Sequence, residues 1–318
     1  MLFFRDYVLL KKQNPPKFFI EWAPNPDPLY HSPADSPLEM PIHPPLPNAP
    51  IPVDGYMISL DHLVGGRAKR KFQQVASKYG LHHVLKFKGP VILDSGGYQN
   101  KHRNPINVLE LQSIFKPDFV IHMDVLGDYK QTIKNALLTK AYEECFDFKI
   151  YYVIQGRNIS EFTKCANILV KNGCLRFAIG NLSHLSYLRR NEMIREIVSA
   201  IKRIIGDRPL HLLGVSNPKL ILELKGLITS FDSSTGIRNA TRLREVFELK
   251  NNEIIYFRKI DKRPREFTCN CPICQVFNVF ENEYKYPKGT GERRKIRFAR
   301  AIHNTYVIWK AINSNNSL

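Results

Sequence analysis

No apolar run in this chain approaches the roughly 20 residues that a membrane-crossing helix needs, so no membrane association is expected. Acidic residues are scarce beside basic ones, 29 Asp and Glu against 47 Lys and Arg, which leaves a formal charge of +18. That imbalance favours a polyanionic partner, and nucleic acid is the default candidate. Cysteine is sparse too, six in 318 residues. The opening Met1-Leu-Phe-Phe-Arg-Asp6 lacks a signal peptide's layout, because charges interrupt it at once. A reducing, cytoplasmic setting follows, in which the cysteines read as thiols or metal ligands rather than disulfides.

What is present is a core. At 43% hydrophobic content the chain can fill one large domain or two smaller ones. Lys17–Trp22 reads as a first strand, and the stretch from Pro24 to Pro52 carries 11 prolines. It can be neither helix nor central strand, so an extended surface segment is expected, either an arm facing nucleic acid or a wrap around the fold. From Tyr56 onward short apolar runs alternate with helical patterns. The runs are Tyr56–Leu60, Val91–Leu93, Phe119–Met123, Ile150–Ile154, Phe177–Ile179, His211–Leu213 and Ile228–Phe231. Asn104-Pro105, Asp128, Ser160 and Asn217-Pro218 are placed to open helices, and Gly173 and Gly206 to close them. With Lys17–Trp22 included this is the rhythm of a (β/α)8 barrel. Asp94, Asp124, Gln155, Asn181 and Asp232 are each read as following an apolar strand immediately, so in a parallel barrel they converge at one mouth. The division expected is a strand and proline-rich segment over 1–54, a barrel over 55–250, and a zinc-binding, basic subdomain over 251–318.

Within Val91-Ile-Leu-Asp-Ser-Gly-Gly-Tyr-Gln99, Ser95, Gly96 and Gly97 let the backbone turn close to a ligand, and Tyr98 offers a face for a base to stack on. Taken alone, the same letters also describe a strand, a tight turn and a helix cap. Cys269-Asn-Cys271-Pro-Ile-Cys274 places three thiolates on a short knuckle, and His303 is the one histidine downstream. Together they make a Cys3His set for structural zinc, with a redox cluster or buried thiols as the alternatives. Cys145, Cys165 and Cys174 lie in or beside helical patterns and read as ordinary core residues. Basic residues bracket the knuckle. Among them Arg293, Arg294, Lys295 and Arg297, with Arg238 upstream, are candidates for contacts to phosphate.

Asp94-Ser-Gly-Gly-Tyr-Gln99, Val153-Ile-Gln-Gly156, Gly180-Asn-Leu182, Leu213-Gly-Val215, Phe231-Asp232 and Cys-x-Cys-x-x-Cys with a following histidine stand in the order found in the tRNA-guanine transglycosylase superfamily. The resemblance covers about Gly55 to Trp309. It implies a zinc-containing (β/α)8 barrel that exchanges guanine in nucleic acid for a 7-deazaguanine such as 7-cyano-7-deazaguanine, without strand cleavage. By resemblance Asp232 is the nucleophile and Asp94 the general acid/base. Asp124 and Gln155 would read the base's edge, and Gly156, Gly180, Asn181 and Leu182 would meet its exocyclic oxygen or 7-substituent. The chemistry suits these residues, since a carboxylate can trap the oxocarbenium character that builds when an N-glycosidic bond breaks.

The chain also departs from the tRNA enzymes. It has Gly180-Asn181 where they show a glycine pair, Gly156-Arg157 where they show Gly-Gly, and altered residues between Ser233 and Ile237 ahead of Arg238-Asn-Ala240. No C-terminal RNA-binding module is expected after Trp309. These departures resemble the DpdA-type DNA transglycosylases of bacteriophages and genomic islands, which would place the chain in a host's cytoplasm. They turn the expected substrate toward DNA, with a tRNA enzyme of the queuosine or archaeosine kind as the alternative. A non-catalytic nucleic-acid-binding partner subunit is an alternative of another class, and a homodimer is among the assemblies to test.

Overall fold

The computed structural model describes residues 16–22, 54–64, 67–85, 87–96, 104–182, 185, 190–215, 217–251, 253–258, 262–287 and 290–314. The proline-rich segment, Gly97 and Tyr98 lie outside the described residues.

Eight parallel strands close into a barrel in chain order. They are β1 (Lys17–Trp22), β2 (Gly55–Ser59), β3 (Val91–Asp94), β4 (Phe119–Ile121), β5 (Lys149–Ile154), β6 (Phe177–Ile179), β7 (Leu210–Leu212) and β8 (Ser230–Ser233). Closure is made by β1, which pairs with β8 on one side and β2 on the other, through Phe19↔Asp232 and Phe19↔Gly55. The Lys17–Trp22 strand therefore belongs to the barrel itself. Helices α1 (Leu60–Leu63), α2 (Arg67–Tyr79), α3 (Leu81–Leu85), α4 (Pro105–Ile114), α5 (Tyr129–Ala141), α6 (Ile159–Lys171), α7 (Asn191–Ile205) and α8 (Pro218–Glu223) follow their strands.

The helix starts obey their caps. Asn104 Oδ1 accepts from Ile106 N at 2.8 Å with Pro105 at the first turn, and Asp128 Oδ1 accepts from Gln131 N at 3.0 Å. Asn217 caps α8 in the same way. Helix α6 is capped by Asn158, which accepts from Glu161 N at 3.0 Å, two residues earlier than the Ser160 expected. An asparagine in extended conformation, with its acceptor three residues ahead of a free N–H, suffices.

Strand side chains divide strictly by alternation. Tyr56, Ile58, Val91, Leu93, Ile150, Tyr152, Leu210, Leu212 and Phe231 face outward into the main core under the helices. Phe19, Met57, Ile92, Ile121, Tyr151, Val153 and Ala178 fill the barrel's interior as a second cluster. The inward columns continue to the strand ends, so Ile92 leads to Asp94, Val153 to Gln155, Ala178 to Gly180, and Ser230 to Asp232.

Beyond the barrel come α9 (Thr235–Arg238), a π-helical turn (Asn239–Leu243) and an antiparallel hairpin of β9 (Val246–Lys250) and β10 (Glu253–Phe257). The hairpin straddles the expected 250/251 division, because each of its strands has the other as its ladder partner. Helices α10 (Pro272–Val276) and α11 (Gly291–Asn313) complete the described chain. The first half of α11 packs Ala299 and Ile302 with Phe257, Phe267, Ile273 and Phe280 around the cysteines, while Val307, Ile308 and Ile312 join the main core. One helix thus ties the cysteine knuckle to the barrel. Among the described residues no helix is long and apolar enough to cross a membrane.

Candidate active site and metal centre

Asp94 is the last residue of β3, and its Oδ2 accepts from Gly96 N at 3.0 Å. That turn needs a glycine. Gly96 has φ +69°, and a Cβ there would stand 2.7 Å from the Asp61 carboxylate carbon, so the backbone passes directly beside that carboxylate. Ser95 is buried in the same turn.

Asp124 lies three residues beyond β4, later than a strand-end position, and is half-buried. Gln155 Nε2 donates to Asp124 Oδ2 at 2.5 Å, while its Oε1 accepts from Gly127 N at 3.3 Å. Burial raises the Asp124 pKa from 3.8, and the Gln155 hydrogen bond pulls the other way. One N–H of the Gln155 amide and its oxygen are engaged in this arrangement, which holds Asp124 in place. The space Gln155 occupies exists because residue 180 is glycine. A Cβ on Gly180 would sit 2.3 Å from Gln155 Nε2, and one on Gly156 would sit 2.6 Å from Phe162 N. Asn181 takes a left-handed conformation, φ 61°, and its Nδ2 donates to the Gly156 carbonyl at 3.1 Å. Leu182 is buried behind them.

Asp232 is an inward residue within β8 and is buried. Its Oδ1 accepts from Gly214 N at 3.0 Å and from His211 Nε2 at 3.2 Å. His211, buried in β7, also places Nδ1 at 2.8 Å from Ser230 Oγ. Sequence reasoning passed over this pair. The signal was present, since His211 is a polar residue at an inward position on the strand beside Asp232.

At the metal centre, the ligand atoms of Cys269, Cys271, Cys274 and His303 all lie within 4.8 Å of one another. His303 Nε2 donates to the Phe247 carbonyl at 2.6 Å. A carbonyl only accepts, so the ring proton is on Nε2 and the Nδ1 lone pair points at the sulfurs, 3.2 Å from Cys271 and 3.3 Å from Cys274. A backbone carbonyl that accepts from the far ring nitrogen is a usual partner of a zinc-ligating imidazole. Hydrogen bonds from the Cys269 and Cys274 thiols hold the Cys271 thiol well below its ordinary pKa. Burial lowers the His303 pKa and keeps the ring neutral. The donor set fits one structural zinc ion with no open position. The other cysteines differ among themselves. Burial pushes Cys165 up to about 11 and Cys174 up to about 12, whereas Cys145 is exposed on a 3-10 turn rather than in the core.

The basic residues divide as well. Arg297 does not face solvent. It is 4% exposed, and its guanidinium binds Glu283 Oε1 at 2.7 Å through Nη2 and 2.8 Å through Nε. Arg300 is buried on the other oxygen of Glu283, at 3.1 Å, and also reaches the Ala240 carbonyl at 3.3 Å. The long apolar face of α11 carries these guanidiniums inward, so Arg297 is removed from the candidates for phosphate contact. Arg238 is exposed. Arg293 stacks on Tyr284, 4.7 Å from the ring centre, with Arg244 at 4.9 Å. The Arg294 and Lys295 side chains lie outside the described residues.

Residues 57–314 match the profile of the family described as queuine tRNA-ribosyltransferase. A tRNA-guanine(15) transglycosylase of Aeropyrum pernix is 26% identical over 262 residues, covering 75% of this chain and 48% of that protein. A queuine tRNA-ribosyltransferase of Helicobacter acinonychis is 23% identical over 284 residues, covering 75% of this chain and 74% of its own length. A tRNA-guanine(15) transglycosylase of Methanocaldococcus jannaschii is 23% identical, with 77% of this chain and 39% of the relative aligned. The chain spans about half or less of the archaeal relatives.

Proposed function

We propose a base exchange on nucleic acid for this chain, which belongs to the queuine tRNA-ribosyltransferase family. Guanine would leave a nucleotide and a 7-deazaguanine, such as 7-cyano-7-deazaguanine, would take its place. The observation that carries the reading is that the inward columns of β3 and β8 both end in aspartates, Asp94 and Asp232, at the mouth where Gln155 holds Asp124. An Asp232 oxygen would bond the sugar's C1′ as the bond to guanine N9 breaks. The bonding pair would depart with guanine, which would take a proton from Asp94. In the second half the incoming base would give its N9 proton to Asp94 and displace the carboxylate. Asp124, an acceptor beside the pocket, suits the N1–H and 2-amino donors of the guanine edge. The target base must leave its stack to enter.

DNA is the substrate favoured by the residues between Ser233 and Ile237 and by Asn181 and Arg157, where the chain differs from the tRNA enzymes. The names of the relatives favour tRNA as a second reading. Incubation with labelled 7-cyano-7-deazaguanine and either DNA or tRNA, followed by nucleoside analysis, decides between them. Asp232→Ala is expected to trap no covalent adduct. Asp94→Ala is expected to lose about 10²–10⁴-fold in rate, with nucleic-acid binding kept in both. Failure of the unaltered protein to exchange on either nucleic acid would favour a binding subunit instead.

A further inference from the structure

We infer that His211 and Ser230 form a buried relay that presents Oδ2 of Asp232 as the attacking oxygen, with His211 as a positioning residue. The inference rests on the nucleophile role proposed above for Asp232. Among the described residues, both hydrogen bonds to the Asp232 carboxylate fall on Oδ1, from Gly214 N and His211 Nε2, and none falls on Oδ2. An ionised carboxylate only accepts, so His211 must carry a proton on Nε2. Nδ1 is then the acceptor for the Ser230 hydroxyl at 2.8 Å. The chain runs Ser230, His211, Asp232 across β8 and β7, on inward positions that alternation selects.

Packing fixes the ring as firmly as the hydrogen bonds do. Phe19 meets it edge-on with centroids 5.8 Å apart, and Tyr151 lies at 5.8 Å on a tilt. His211 is fully buried, so no water competes for either nitrogen. A carboxylate with one oxygen pinned by two donors has one productive rotamer. The other oxygen keeps its lone pairs free for C1′, which is the preorganisation that a nucleophile needs before bond formation. The same two donors stabilise the carboxylate when it returns as the leaving group in the second half-reaction.

The closing experiment pairs kinetics with a readout that needs no turnover. His211→Phe keeps an aromatic ring against Phe19 and Tyr151 but removes both nitrogens, and His211→Gln returns an amide donor. With guanine-containing DNA and tRNA and labelled guanine, His211→Phe should slow covalent adduct formation by roughly 10–100-fold, the scale of a misplaced reacting group. KM for nucleic acid should be unchanged, and His211→Gln should recover part of the rate. In parallel, nitrogen-labelled histidine in the full chain should show, among its Nε2-protonated imidazoles, one signal that is absent from His211→Phe and displaced in both Asp232→Ala and Ser230→Ala. Full adduct rate in His211→Phe while Asp232→Ala forms none would overturn the relay and leave the nucleophile standing. An adduct that persists in Asp232→Ala would overturn the nucleophile reading and the relay's catalytic role with it. A ring proton on Nδ1 alone, or a histidine signal indifferent to Asp232→Ala, would overturn the geometry whatever the activity.

Discussion

Gly180 shows how a single missing Cβ shapes the candidate pocket. The Gln155 amide sits where that carbon would be, 2.3 Å away, with the Val153 Cγ1 methyl at 3.1 Å. Gly180→Ala should therefore push Gln155 off Asp124 and weaken binding of the 7-deazaguanine more than it weakens the fold. Calorimetric titration of the base, set beside the melting temperature, checks this; unchanged affinity would place the base elsewhere. Asp124 makes the complementary case. Its pKa is raised by burial, so the native state holds that proton to a higher pH than the unfolded chain does. A raised carboxyl pKa means stability is lost as pH climbs past 3.8, because the unfolded chain ionises first. Asp124→Asn should remove that loss and leave the fold at neutral pH as stable or more so, while base affinity falls because an amide can present a donor to the purine's own donors. Melting curves between pH 4 and 8, with base titrations at pH 7, separate the two effects. A variant less stable at pH 7 and unchanged in affinity would contradict both.

At the scale of the element, α11 decides what the basic residues do. Glu283 is buried between Arg297 and Arg300. Removing it strands two guanidiniums away from water, so Glu283→Ala should cost about 3–5 kcal/mol, measured by urea unfolding. A cost under about 1 kcal/mol would mean that water reaches the cluster. Arg238 is exposed, and its loss should lower the salt slope of nucleic-acid binding by about 0.9 if it meets a phosphate. Arg297 should leave that slope unaltered in Arg297→Met, whatever it does to stability. The charge census pointed to both residues alike, because a count of arginines carries no information on which face of a helix each one takes. The helix's own contacts sort them.

For the whole molecule, zinc and barrel are joined through α11. His303 faces the cysteines. One residue on, buried Asn304 accepts from Phe247 N at 2.9 Å and donates to the carbonyls of Glu245 and Gly236 at 2.9 and 3.3 Å. Gly236 lies in α9, just after the strand that carries Asp232, and a Cβ there would press on Thr305 of α11 at 3.0 Å. Structural zinc contributes folding free energy directly, so chelation should lower the melting temperature of the entire chain and slow any chemistry at Asp232 as well as loosening the knuckle. Metal analysis should find one zinc per chain. Protein free of zinc that melts at the same temperature would separate the knuckle from the barrel.

Much of this protein was legible in its residues, for reasons of local physics. Strand and helix alternation follows from hydrophobic period, helix starts from Asn104, Asp128 and Asn217, and the metal ligands from close spacing on one knuckle with one histidine beyond it. These depend on neighbours in sequence. What only the tertiary structure decided are partnerships across distance: β1 closing the barrel against β8, Gln155 donating to Asp124, Arg297 turned inward to Glu283, and His211 beside Asp232. Each joins residues far apart in the chain, and residue type alone fixes neither the face of an element a side chain takes nor which buried group satisfies it. The inward face of β7 meets that of β8 because a closed parallel barrel sets their register, and that closure put an imidazole against the carboxylate.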